Sequence, residues 1–221
     1  MFLNLLLIFM IRLTSSVADE QPVFKGGQRS LTSFISSNLI YPDYSRDNCL
    51  QGTVYVSFKL NKLGRIYECE VKKGYGIDLD KVALRIVGLT TGKWMIPAGH
   101  DTTASIVLPV TFTLKDFKCE QRSKDDINAA ISAYHARQGL TNAIFNFYDK
   151  KAAGSYAPSE EAGILALKAQ LGYNEKFIGR LLKQGQRKLK QGDVESACED
   201  FHIVRRLGSD KSAEFIREHC K

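Results

Sequence analysis

An α+β domain followed by an all-α domain is the architecture this sequence predicts, and three observations carry it. The runs Gly52 to Leu60 and Ser105 to Lys115 alternate apolar and polar residues with the period of two that marks a half-buried strand. Ser30 to Leu39 and Asp78 to Leu89 instead repeat apolar residues at helical spacing. From Asp125 onward the strand signals vanish and the apolar residues recur with a helical period as far as Cys220.

The 221-residue chain opens on an apolar run, Phe2 to Ile11, then Arg12, with small residues at Ser16 and Ala18. This is the pattern of a secretory leader cut after Ala18. A retained anchor is the alternative, but a bilayer span takes roughly 20 mostly apolar residues and Arg12 interrupts the run early. Residues 1–18 are therefore read as a signal peptide, 19–121 as the mixed domain and 122–221 as the helical one.

In the mixed domain, Leu31, Phe34, Ile35 and Leu39 line one stripe of a short helix that Ser30 or Thr32 would cap. It stops at Tyr41-Pro42, because a residue before proline is pushed out of helical geometry. Val54, Val56, Phe58 and Leu60 share one face of the first strand, with Tyr55, Ser57 and Lys59 on the other. Asn61-Lys62-Leu63-Gly64 reads as a tight turn in which Gly64 takes a positive φ, and Arg65 to Lys72 returns as the second strand. After Gly74-Tyr75-Gly76 the second helix carries Leu79, Ala83, Ile86 and Val87 on one side, and Trp94 and Pro97 follow in a connecting loop. The last strand points Ile106, Leu108, Val110, Phe112 and Leu114 inward. Pro109 has no ladder donor, which restricts this strand to a sheet edge. A right-handed crossover through the helix then lays the third strand beside the first. The result is a three-stranded antiparallel sheet of order 2-1-3 with two packed helices.

The helical domain begins with Ile127, Ala130, Ile131 and Tyr134, continues through Ile144, Phe145 and Tyr148, and breaks at Gly154 to Pro158. Ser159 reads as the cap of Glu160 to Gln170, and Asn174 as the cap of Glu175 to Lys190. Turns at Gln191-Gly192-Asp193 and Gly208-Ser209-Asp210 set off Val194 to Leu207 and Lys211 to Cys220 as an all-α helical hairpin.

Five cysteines behind a leader imply an oxidising compartment, and an odd number leaves at least one outside the intrachain pairs. Folding the last two helices back about Gly208-Ser209 sets Cys198 opposite Cys220, the first predicted disulfide. In the order 2-1-3, Cys49 precedes the first strand and Cys119 follows the third, so their ends meet as a second pair. Cys49 with Cys69 is the competing pairing. Cys69 otherwise shares parity with Val71 and reads as a buried thiol.

The formal net charge of +7 is modest and spread over both halves, whereas a nucleic-acid binder concentrates its basic residues on one face. Arg180, Lys183, Arg187, Lys188 and Lys190 form a cluster, read as the solvated face of a helix. His100, His135, His202 and His219 stand in no metal or triad motif. Gly74-Tyr75-Gly76 lacks the rest of a dinucleotide fingerprint, no C-x-x-C is present, and Glu68 with Glu70 does not by itself define an acid–base pocket. The expectation is a protein that is not an enzyme, needs no metal or cofactor, binds no nucleic acid and has no integral membrane span once the leader is removed.

One ordered set of residues goes further: Phe24, Gly26-Gly27, Phe34-Ile35, Tyr41-Pro42, Gly52 to Phe58, Gly64-Arg65-Ile66, Leu79-Asp80, Ala83-Leu84, Trp94, Pro97 and Leu108 to Phe112. Each is weak alone, but in this order and spacing they resemble the C-terminal domain of TonB proteins over nearly the whole first domain. Cys49, just before the first strand, departs from that pattern. The resemblance implies recognition rather than chemistry: a periplasmic domain whose sheet edge captures an extended segment of an outer-membrane receptor, linked to transport. Strand addition of this kind takes its affinity from main-chain hydrogen bonds. With the Pro109 nitrogen outward, residues of the same parity, Val107, Thr111, Thr113 and Lys115, are the expected pairing positions. The plainer reading is that Pro109 merely blunts the edge, or that the rest of the chain covers it. At the other end, Gly185, Leu189, Gly192-Asp193, Ala197, Phe201, Leu207-Gly208 and Ala213 resemble a tetratricopeptide or Sel1-type hairpin. That resemblance implies the alternative, a periplasmic scaffold holding a protein partner on its helices. An ordinary helical appendage fits the same residues.

Overall fold

The computed structural model describes residues 21–115, 117 and 119–220; the expected leader lies outside them. The first core is built on an antiparallel sheet of β2 (Gly52–Leu60), β3 (Ile66–Lys73) and β5 (Ile106–Phe112). Its spatial order is β3-β2-β5, which is the 2-1-3 arrangement read from the strand pattern. Helix α3 (Asp78–Gly88) lies across one sheet face, where Leu79, Ala83, Ile86 and Val87 meet Val54, Val56, Phe58, Leu108, Val110 and Phe112. All but Leu108, which is 7 % exposed, are completely buried. Burial of each such valine, leucine, isoleucine or phenylalanine contributes about 1.5–3 kcal/mol.

Several details depart from expectation. Helix α1 spans Gly27–Asn38, starting earlier than expected, and neither Ser30 nor Thr32 caps it. Gly26 and Gly27, at φ +87° and +76°, turn the chain directly into the helix, a left-handed conformation that glycine takes at little cost. A five-residue helix α2 (Asp43–Asp47) follows Pro42. Trp94 is not in a simple loop: Trp94–Met95 (β4) pairs with Val23–Phe24 (β1) in a separate two-stranded ribbon. Strand β3 is irregular, with register shifts against β2 and Glu68 at φ +48°, as at a β-bulge.

The helical spacing from Ile127 through Tyr148 belongs to one 29-residue helix, α4 (Lys124–Ala152), started by a capping box between Ser123 and Asp126. Ile127, Ala130, Ile131 and Tyr134 pack on the first core, while Ile144 and Phe145 belong to a second one. That second core joins α4 to α5 (Glu161–Gln170), α6 (Glu175–Lys190) and α7 (Val194–Arg206), with α8 (Ala213–His219) closing on α7. Ser159 does not cap α5; Pro158–Glu160 forms a 3-10 turn that leads into it. Asn174 does cap α6, its side chain accepting from the Phe177 N–H at 3.0 Å. Gly185 lets α6 and α7 approach closely, since a Cβ there would lie 2.6 Å from the Phe201 ring.

A buried ion pair ties the two cores. The Arg85 Nε donates to Asp193 Oδ2 at 2.5 Å, its Nη1 donates to the Asn38 carbonyl at 3.0 Å, and Nη2 donates to the Gln191 side chain. The basic cluster on α6 is not simply a solvated face: Lys188 is buried and its ammonium meets Asp200 at 2.8 Å, while Arg180 pairs with Asp43. A buried ammonium requires such a partner, because an unpaired charge out of water is costly. Cys49 is bonded to Cys119 and Cys198 to Cys220, each with Cα atoms 5.5 Å apart. Cys69 is a free thiol, only partly buried.

Candidate partner-binding edge

Strand β5 runs against β2 through seven consecutive pairs without a register shift, from Gly52 opposite Phe112 to Phe58 opposite Ile106. Pro109 faces Tyr55 in this ladder. Antiparallel pairs alternate between those that exchange both backbone bonds and those that exchange none. A residue without an N–H fits only the second kind, so by alternation Val107 opposite Ser57 and Thr111 opposite Thr53 are of that kind too. The N–H and C=O groups of Val107 and Thr111, with the C=O of Pro109, therefore point away from β2. Among the described residues β5 has no second strand partner, and no turn or loop backbone bonds to this margin.

Of the four expected pairing positions, Val107 and Thr111 lie in the strand, and Thr113 and Lys115 lie beyond its end at Phe112. The alternation of burial nevertheless continues, with Thr113 and Lys115 exposed around a buried Leu114. Gln51 makes this possible: its Oε1 accepts from the Leu114 N–H at 3.1 Å and stands in for a further ladder carbonyl. No signal in the sequence marked Gln51, because side-chain mimicry of a backbone acceptor leaves no periodic trace.

The outward face beside this margin is uncharged along β5. Thr111 and Thr53 hydroxyls meet at 3.0 Å, Val107 is 49 % exposed, and Tyr55 is 38 % exposed with the Lys73 ammonium 6.0 Å from its ring centroid. The opposite margin, β3, carries Glu68, Glu70, Lys72 and Lys73. There Lys59 binds Glu68 at 2.5 Å, and this hydrogen bond holds the Lys59 ammonium above its usual range. Ser57, Lys59, Glu68, Cys69, Glu70 and Ser105 line a shallow cleft in which partial burial pushes the Cys69 thiol pKa up.

Among the described residues no group of three or more His, Cys, Asp or Glu side chains could hold a metal ion, and no helix is long and apolar enough to cross a membrane. The histidines are not all apart: His202 and His219 line one open cleft with the Cys198–Cys220 disulfide, while His135 lies beside Gly76. Burial lowers the His202 pKa, which favours its neutral form.

Residues 37–114 match the family model described as the Gram-negative bacterial TonB protein C-terminal. The NMR solution structure of Helicobacter pylori TonB-CTD is similar at 24 % identity, over 40 % of this chain and 95 % of that one, with a TM-score of 0.33. No curated protein matches the chain.

Proposed function

We propose that the protein is a periplasmic protein-binding module of the TonB type, linked to transport through outer-membrane receptors, and that it captures an extended receptor segment by strand addition along β5. One observation carries this reading: the outer margin of β5 is regular and has no backbone partner among the described residues. A segment laid against Val107, Pro109 and Thr111 would find two donors and three acceptors in register, and Thr113 and Lys115 would extend the contact. Side chains of the captured strand would meet Tyr55 and Val107 on the open face, which supplies selectivity. The family match over residues 37–114 supports the same reading.

The test exploits proline. Thr111→Pro removes an outward donor without touching the β2 ladder, so the full mature chain is expected to keep its melting temperature within a few degrees. Capture of the receptor, read by photo-crosslinking from a probe placed at Val107, is expected to fall at least about tenfold with the loss of one strand-addition bond and the register it sets. Undiminished crosslinking by Thr111→Pro would refute strand addition and leave the scaffold reading, in which the α6–α7 hairpin holds the partner.

A further inference from the structure

The end of the molecule at the β2–β3 turn is assembled from three segments far apart in sequence. The Gly92 N–H donates to the Gly64 carbonyl at 2.7 Å, the Lys25 N–H to the Lys93 carbonyl at 2.8 Å, and the Lys25 ammonium to the Gly92 carbonyl at 2.8 Å. Val23 pairs with Met95, and a Cβ on Gly64 would lie 2.6 Å from the Trp94 carbonyl oxygen, so turn, loop and ribbon form one continuous surface. Three large apolar side chains stand out of it: Leu63 at 73 % exposure, Met95 at 52 % and Val23 at 47 %. The packing does not require this, since their neighbours Phe24, Gly64 and Trp94 are the buried residues of each segment.

Among the described residues, the charges next to them in sequence have one sign. Within residues 21–25, 61–65 and 91–95 every ionisable side chain is basic: Lys25, Lys62, Arg65 and Lys93. All four are exposed, and none forms an ion pair among the described residues. Protruding aliphatic side chains beside exposed cations are the complement of an anionic lipid surface. The cations are attracted to headgroup phosphates, and the apolar side chains gain by entering the acyl boundary. A protein partner for such a tip would have to present a carboxylate ring around an apolar pocket, whereas an anionic bilayer offers both features everywhere.

We propose that this tip is a peripheral docking site for an anionic phospholipid bilayer, with Leu63 and Met95 as the inserting side chains. Strand β5 starts near this end at Ile106, opposite Phe58, and runs away from it, so its free margin stays accessible on a docked molecule. The proposal does not depend on strand capture by β5.

The experiment is co-sedimentation of the full mature chain with vesicles of phosphatidylcholine alone or containing about one third phosphatidylglycerol. Binding is expected only with phosphatidylglycerol and is expected to weaken as salt is raised. Lys62→Gln and Arg65→Gln should each lower the partition coefficient about fivefold, while Lys150→Gln, exposed near the end of α4, should not change it. Leu63→Trp should give blue-shifted emission on anionic vesicles, against the constant background of buried Trp94. All these positions are exposed, so the variants should melt like the parent. The proposal is overturned by equal binding to both vesicle types, by binding insensitive to Lys62→Gln and Arg65→Gln, or by an unshifted Leu63→Trp. It is likewise overturned if Leu63→Ser dissolves a dimer of this chain instead of releasing it from vesicles.

Discussion

The sheet has two outer margins, and they are built differently. On β3, two register shifts, the left-handed Glu68 and a run of charged side chains interrupt and solvate the margin. On β5, seven regular pairs and neutral outward side chains leave the main chain presentable, with Pro109 removing a single donor. Natural sheets protect exposed margins against unwanted pairing with bulges and charge. Here bulges and charge are concentrated on β3 while β5 carries only Pro109, and the contrast teaches that a lightly protected margin is informative when its counterpart in the same sheet is heavily protected.

The contrast breaks most visibly through the ladder itself. Val110 is completely buried and pairs with Val54, so Val110→Pro should lose both a ladder bond and core packing, roughly 3–6 kcal/mol in a denaturant titration. Thr111→Pro, one residue away, should cost far less. If the two variants were equally destabilised, the assignment of outward and inward backbone groups on β5 would be wrong.

Next in size is the Cys49–Cys119 bond, which closes 70 residues and pins the far end of β5 to the start of β2. Its replacement by Cys49→Ser with Cys119→Ser should cost about 2–4 kcal/mol of unfolding free energy. It should also speed amide exchange at Phe112 and Leu114 more than on β3. Equal acceleration on both margins would mean that the bond restrains the chain as a whole and not β5.

Smaller effects test β3. Glu68→Gly relieves a left-handed conformation and should stabilise the fold by up to about 1 kcal/mol while keeping the bulge. The raised pKa of Cys69 leaves less thiolate at neutral pH than an ordinary cysteine has. Maleimide should therefore label it more slowly in the folded chain than in denaturant, with a rate that climbs as pH rises. Equal rates in the two states would place Cys69 outside the cleft.

Legibility followed the physics of each element. Strands β2 and β5 were readable because one face is buried and the other wet, which imposes alternation over many residues. Pro109 identified the margin because a missing donor cannot be hidden in mid-sheet. β1 and β4 are two residues each, too short to show any period, and α2 is a single turn. The helical spacing from Ile127 to Tyr148 did not show that α4 changes partner between Tyr134 and Ile144, leaving one core for the other. Lys188 looked solvated because its partner Asp200 lies on the next helix, out of phase with any local pattern.

By itself the sequence determined the local periods, the proline that confines β5 to an outer position, and cysteine placements consistent with both disulfides. These are properties of neighbouring residues and of strand order, which follow from backbone geometry. Only the tertiary structure decided that the β5 margin has no backbone partner among the described residues, that Arg85 anchors Asp193, and that the segments carrying Val23, Leu63 and Met95 meet beside the β2–β3 turn. Each depends on segments distant in the chain meeting in space, and hydrophobic periodicity carries no information about which distant segment arrives.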